Sequence, residues 1–302
     1  MRYNFQLFIN ELTNRGITCQ QIGNSSYIKA CFNSHYEYIF ELGNSLIPSQ
    51  YYFILNDKTI LKEVMKEEKY SVAKSHTFLP TQMEEAVDYA NSLNFPVVAK
   101  GTYFSKGVHV YPNIQNEKEL RFIWSKCLSS PLPYFSKLPK EIMVEEYKKG
   151  WIEFRFLVIR NYKTIIAKRL PPMITGDGLS SIGYLIEQEN YRRTHPRVTC
   201  SGEIYLDDPD GLRCLHHQGK TLDTVLSKGE EILLRYNANG TYGGTCELIT
   251  SGIHSSYQSL AETIFDRFPG LGYLAIDLLI KTPELPCSLD NYVVFEFATY
   301  PG

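Results

Sequence analysis

Apolar residues change period several times along this chain, and each change marks an element. The pattern is densest over residues 143–186. Residues 143–147 (MVEEY) read as a short strand ending in two carboxylates, and 148–151 as a polar turn. Residues 153–159 alternate, with Phe154, Phe156 and Val158 on one face and Glu153, Arg155 and Leu157 on the other. That period of two belongs to a strand. A further strand starts over 164–167. A loop with Pro171, Pro172, Gly176 and Gly178 follows, and a helix begins near Ser180 and runs to about Arg192. Charges inside strands this apolar need a partner if they are buried. Otherwise they mark the solvated side of an antiparallel sheet, and the pattern leaves both readings open.

The flanking segments follow the same logic. Residues 4–14 have Phe5, Leu7, Phe8 and Leu12 at helical spacing, and Gly16 is placed to stop the helix. Residues 17–22, 27–32 and 36–40 read as short strands around turns. In 56–69, Asn56 or Asp57 is a sound N-cap, and Ile60, Leu61, Val64 and Met65 form an apolar stripe. Lys58 and Lys62 lie one turn apart there; lysines on such a helix are commonly only solvated, or they face a phosphate. Thr81 with Glu84 has capping-box spacing for a helix over 81–93. A buried strand, FPVVAK, ends in Lys100, and a loop with Gly101 and Gly107 follows. Such a junction can place an amine and backbone N–H groups around polyphosphate, although by themselves the residues favour a plain hairpin with a charged corner. Residues 117–128 form a helix. Residues 198–229 are polar and punctuated, with a helical turn near 222–225 and the pair His216-His217 expected at the surface. A strand over 231–236 leads to NANGTYGGTCELIT, whose glycines admit close backbone approach, and a helix follows over 255–267. The last two strands, 273–280 and 292–298, are apolar except for one carboxylate each, Asp277 and Glu296. Strict alternation puts Tyr292, Val294, Glu296 and Ala298 on one face. Two carboxylates on neighbouring strands make a hard oxygen site suited to Mg²⁺ carrying phosphates.

Composition narrows the function classes. The 302 residues are 43% hydrophobic and 21% charged, enough for a packed core, and the net charge of −2 gives no general attraction for nucleic acid or an acidic membrane. Seven cysteines occur singly, with no CxxC, which favours reduced thiols. With no apolar run of membrane length and no leader-like start, a cytoplasmic protein is expected. No GxxxxGK[ST] is present.

In their order and spacing, DK at 57–58, PVVAK at 96–100, VEEY at 144–147, EFRFLVI at 153–159, AKRLPP…GDGLSSI at 167–182, NANGTYGGTCELIT at 237–250, GYLAIDLLI at 272–280 and EFATYPG at 296–302 resemble the ATP-grasp ligases. The branch is the one containing cyanophycin synthetase and the ligase domain of the bifunctional glutathione-synthesising enzyme. The resemblance implies an α+β protein of ATP-grasp fold, with a small N-terminal α/β unit over 1–56, a phosphate-binding subdomain over 57–145 and a metal and acceptor subdomain over 146–302. It implies ATP and Mg²⁺ as cofactors. The activity it implies is phosphorylation of a carboxylate followed by attack of an amine, on small amino acid or peptide substrates; a homodimer is carried as an expectation. Carried onto matching positions, Lys100 would hold the phosphates with Lys58 or Lys62 as second amine, and Gly107 would lie in the phosphate loop. Glu145, Glu146 and Tyr147 would form the hinge against adenine, and Glu153 would meet the ribose hydroxyls. Asp277 and Glu296 would hold Mg²⁺. Arg169 and Arg235 would stabilise a developing acyl phosphate, and the loops at 175–181 and 239–245 would shape the acceptor site. One departure stands out: the family's E-x-N at the last metal strand is Glu296-Phe297-Ala298 here. That loss also admits an ATP-binding module with impaired catalysis that serves a partner; a kinase that stops at phosphoryl transfer is the third reading.

Overall fold

The computed structural model describes residues 3–23, 25, 27–40, 44–102, 110–129, 141–195 and 202–299. The chain begins with α1 (Tyr3–Asn14), which ends where Gly16 takes a φ of +80°. A meander of β1 (Thr18–Gln21), β2 (Tyr27–Phe32) and β3 (His35–Phe40) follows. Phe5, Ile28, Ala30 and Ile39 form its small core. The hydrophobic pattern gave no sign of α2 (Ser49–Asn56), which precedes α3 (Lys58–Glu67). Asp57 caps α3 by accepting from the Thr59 and Ile60 amides. The expected stripe is only partly right. Leu61 and Met65 are buried, but Ile60 is 47% exposed, and Lys58 and Lys62 share the buried face instead.

Next come β4 (Ser75–Phe78), α4 (Met83–Leu93), β5 (Val97–Gly101), β6 (Val110–Ile114), α5 (Glu117–Ser129) and β7 (Ile142–Glu146). The capping box at Thr81 does not form. Gln82 closes the preceding turn on the Leu79 amide, and Glu84 is engaged by both terminal nitrogens of Arg121. The strands make an antiparallel sheet in the order β4-β7-β5-β6. Val97, Ala99, Ile142 and Val144 pack into a core with Ala86, Val87, Ala90, Leu120, Ile123 and Trp124 of α4 and α5. Strand alternation therefore sends Lys100 and Glu145 to the opposite face.

The remaining elements are β8 (Ile152–Ile159), β9 (Ile165–Leu170), β10 (Met173–Thr175), α6 (Ile182–Thr194), α7 (Pro209–His217), β11 (Glu231–Leu233), β12 (Thr245–Leu248), α8 (Ser256–Asp266), β13 (Tyr273–Ile280) and β14 (Tyr292–Ala298). They build a five-stranded antiparallel sheet, β12-β9-β8-β13-β14, and a two-stranded one, β10-β11. Phe154, Phe156, Val158, Leu274, Ile276 and Leu278 bury one face of the larger sheet against α8 and against Leu61 and Met65 of α3. The polar segment expected to hold only a helical turn near 222–225 contains α7 instead, and 222–225 is a turn and a bridge. His217 is not a surface residue: its side chain is 4% exposed, with Nε2 2.7 Å from Glu119 and Nδ1 3.0 Å from the Tyr236 hydroxyl.

Strand β14 departs from strict alternation. Asp277 pairs with Glu296, whereas Leu278 pairs with Val294, so Phe295 is an extra residue in the ladder. A bulge of this kind switches faces. Tyr292 and Val294 consequently belong to the core, while Glu296 and Ala298 face the other way.

Candidate active site

Helix α3 carries Lys58 and Lys62 on its inner side, and β5 carries Lys100 beside Glu145 of β7. All three lysines are less than 8% exposed. Glu145, itself 5% exposed, pairs with Lys62 and lies 3.0 Å from Lys100. Lys62 also donates to the Ala73 carbonyl at 3.1 Å. Lys58 lies 3.8 Å from Glu296 of the other sheet, so α3 links the two sheets at this point. Burial lowers the Lys62 ammonium to about 8, against the raising effect of Glu145. Burial likewise lowers Lys58, with Lys100 adding repulsion and Glu296 opposing it. The Glu145 carboxyl is held low by Lys100 and Lys62, which together outweigh its own burial, the largest single contribution. Three buried ammoniums against Glu145 and a partly exposed Glu296 make a place of excess positive charge.

The polar face of the large sheet lies across from them. Register puts Arg155 of β8 and Glu296 of β14 on either side of Asp277. Arg155 holds both oxygens of Asp277, at 2.7 and 2.6 Å. Glu153 stands opposite Arg169 of β9 and lies 2.7 Å from it. Burial pushes the Glu153 carboxyl up to about 7; Asp277 and Glu296 add to the rise, and Arg169 and Arg155 oppose it. Arg155 is the residue that sequence reasoning did not single out. Its signal was present: it is the one cation on the same face as Glu153 in an otherwise apolar strand.

The hinge residues separate. Glu145 faces the lysines, so its carboxylate is engaged there rather than free to face a purine. Glu146 ends β7, with its amide on the Lys74 carbonyl and its carboxylate 2.7 Å from Lys148. Tyr147 is half-buried, and burial raises its hydroxyl. Gly107 lies outside the described residues. Arg235 is not the free cation that the resemblance leads one to expect. It lies 2.7 Å from Asp208 and 3.3 Å from Asp210, and stacks 3.8 Å above Tyr242. Arg169 likewise has Glu153, and it donates to the Ala238 carbonyl at 3.1 Å. Around the two loops, Asp177 accepts from Leu179 and Ser180, which holds its carboxyl at about 2. Arg193 ties Gly243 to Gly202 by donating to both carbonyls. Among the described residues no group of three or more Asp, Glu, His or Cys is arranged to hold a metal. The carboxylate pair suits a divalent ion that brings phosphate oxygens as its other ligands.

A family profile described as carbamoyl-phosphate synthase L chain, ATP binding domain, matches residues 57–167. The glutathione biosynthesis bifunctional protein GshAB of Pasteurella multocida is 28% identical over 311 residues, covering 98% of this chain and 39% of that protein. Cyanophycin synthetase of Synechocystis is 27% identical over 250 residues, covering 82% of this chain and 27% of its own. The crystal structure of a bifunctional glutathione synthetase from Pasteurella multocida superposes with a TM-score of 0.63 at 25% identity, over all of this chain and 40% of that one. The chain thus spans about two fifths of the length of the bifunctional relatives it matches. A likeness of that extent, on two antiparallel sheets that meet across buried lysines and paired carboxylates, gives this chain an ATP-grasp fold similar to theirs.

Proposed function

We propose that the chain is an ATP-dependent carboxylate–amine ligase that makes an amide or peptide bond on an amino acid or peptide through an acyl phosphate. The observation that carries this reading is the convergence of buried Lys62 and Lys100 on Glu145 with buried Lys58, which reaches Glu296 where that residue pairs in register with Asp277. Phosphoryl transfer needs positioning and charge neutralisation more than covalent help. In this reading Lys100 and Lys62 receive the nucleotide's phosphates, with Lys58 at the metal end. Backbone groups of Glu146 and Tyr147 meet the adenine. Glu153 lies toward the ribose side. Asp277 and Glu296 hold Mg²⁺, which when bound withdraws charge from the phosphate oxygens. Arg169, and Arg235 if its two aspartates release it, face the acyl phosphate. The three segments 1–56, 57–145 and 146–302 are proposed as the working units, and the cytoplasm as the location. No described helix is long and apolar enough to cross a membrane.

The test is a screen of amino acids and short peptides for stimulated ADP release, with mass spectrometry of the products. A carboxylate substrate labelled with ¹⁸O should pass label into phosphate; product formed without that transfer rules out the acyl-phosphate route. Nucleotide binding with no turnover in any pairing of substrates would leave an ATP-binding module in place of a ligase.

A further inference from the structure

We propose that this chain carries a single divalent ion with its nucleotide, the place of a second being taken by the Lys58 ammonium, with Arg155 fixing the orientation of Asp277. The proposal rests on the nucleotide-binding reading above and deepens it.

Four features of the sheet face lead here. First, the Arg155 guanidinium spans both oxygens of Asp277 while that side chain is 1% exposed. A fork-to-fork pair of this kind fixes a carboxylate in one plane and leaves only its outward lone pairs for an ion. Second, the bulge at Phe295 sets Glu296 opposite Asp277 and Ala298 opposite Ala275. On that side of the carboxylates the neighbours on this face are thus two alanines, and a methyl group cannot ligate a hard cation; on the other side Leu279 stands opposite Glu153, whose carboxylate is paired with Arg169. Third, Glu296 is the more accessible of the two carboxylates, with 35% of its side chain exposed, and it already has a cation 3.8 Å away in Lys58. That spacing is longer than a tight hydrogen bond, so the ammonium and a phosphate oxygen can both approach. Fourth, Lys58 is the first residue of α3, directly after its Asp57 cap, and is 7% exposed. It is held in place rather than loosely solvated. A second divalent ion would have to sit among Lys58, Arg155 and Lys100, while the carboxylates nearby already answer cations: Glu296 has Lys58, Asp277 has Arg155, Glu145 has Lys62 and Lys100, and Glu153 has Arg169. One ion does not meet that repulsion.

The count of ions decides the matter. Mn²⁺ would be titrated into the whole chain with a non-hydrolysable ATP analogue and the free ion followed by electron paramagnetic resonance. The expected result is one Mn²⁺ per chain. Two ions of comparable affinity in the wild type would overturn the proposal. The pair Ala298→Asn and Lys58→Met/Ala298→Asn separates ligand from ammonium: the double variant should bind a second ion at least tenfold more tightly than Ala298→Asn alone. Equal second-ion affinity in the two would remove Lys58 from this role. Arg155→Gln should weaken the single ion at least tenfold while leaving analogue affinity in EDTA unchanged; an unaltered ion affinity would remove Arg155. Should a variant fail to fold by circular dichroism, the wild-type count still decides. Calorimetry of the analogue alone separates the two levels. No binding in either EDTA or Mn²⁺ removes the nucleotide reading and this proposal with it, whereas normal binding with two ions removes only the proposal.

Discussion

Glu145 has two lysine partners at its buried carboxylate, and the cluster's behaviour follows from that imbalance. Lys100→Ala should weaken ATP binding by about 1.5–3 kcal/mol, the range for a charge-assisted hydrogen bond. Calorimetry on a folded variant checks this, and unchanged affinity would take Lys100 out of the site. Lys62 offers a sharper test. Its ammonium is lowered to about 8 by burial, and an arriving phosphate stabilises the charged form and raises it again. Binding near pH 8 should therefore take up protons. The binding enthalpy should then vary with the ionisation enthalpy of the buffer at pH 8, and markedly less so in Lys62→Met, where the Lys58 ammonium, lowered in the same way, is the remaining lysine to take up a proton. Buffer-independent enthalpies at pH 8 would show that phosphate does not approach Lys62.

Strand β8 sets a pH dependence of its own. Glu153 titrates near 7 in the folded chain, above its ordinary value of 4.5, chiefly because it is buried. Between those values the native state holds a proton that the unfolded chain has lost, so this residue's contribution to stability falls as pH rises through the window and is level above it. Glu153→Gln should remove that slope. Relative to the wild type, the variant should gain about 3 kcal/mol between pH 4.5 and 7.5, read from urea midpoints; parallel curves would refute the assignment. Helix α7 joins the two parts of the site. Arg213 donates to the Pro112 and Asn113 carbonyls of β6 at 2.6 and 2.9 Å and pairs with the buried Asp210. Removing one partner of a buried pair leaves an uncompensated charge. Arg213→Ala should accordingly cost about 3 kcal/mol in denaturant unfolding, and a loss below about 0.5 kcal/mol would mean that Arg235 alone suffices for Asp210.

Across the molecule, α3 packs on the large sheet while its Lys62 reaches Glu145 of the small one. A ligand between the sheets should stabilise both together. At a concentration of a hundred times its Kd, Mg²⁺ with an ATP analogue should add about 2.7 kcal/mol, or about 4 °C in melting temperature. A melt that splits into two transitions, with only one raised, would show that the nucleotide bridges nothing.

Periodicity alone was enough to locate most elements. The alternation of 153–159 became β8 with Phe154, Phe156 and Val158 inward, and the ordered motifs were enough for the ATP-grasp fold. Residue type and spacing also marked Lys100, Asp277 and Glu296, because a charge in an apolar strand is conspicuous wherever it lies. Several features stayed hidden because they depend on partners distant in the chain. Helix α2 has no amphipathic stripe of its own and is fixed by packing of Leu55 into the main core. Lys58 and Lys62 look like solvated surface residues until Glu145 and Glu296 are brought beside them. Arg169 and Arg235 were assigned to an acyl phosphate and Arg155 was given no role, since nothing local reveals that Arg235 meets Asp208 and Asp210, or that Arg155 meets Asp277 from 122 residues away. The bulge in β14 is a further case. Sequence alternation assumed an unbroken ladder, and only pairing with β13 decides that one residue is extra and that Glu296 turns to face Asp277. Local periodicity reports which face a side chain prefers; which charge answers which is settled by contacts that exist only once the sheets have assembled.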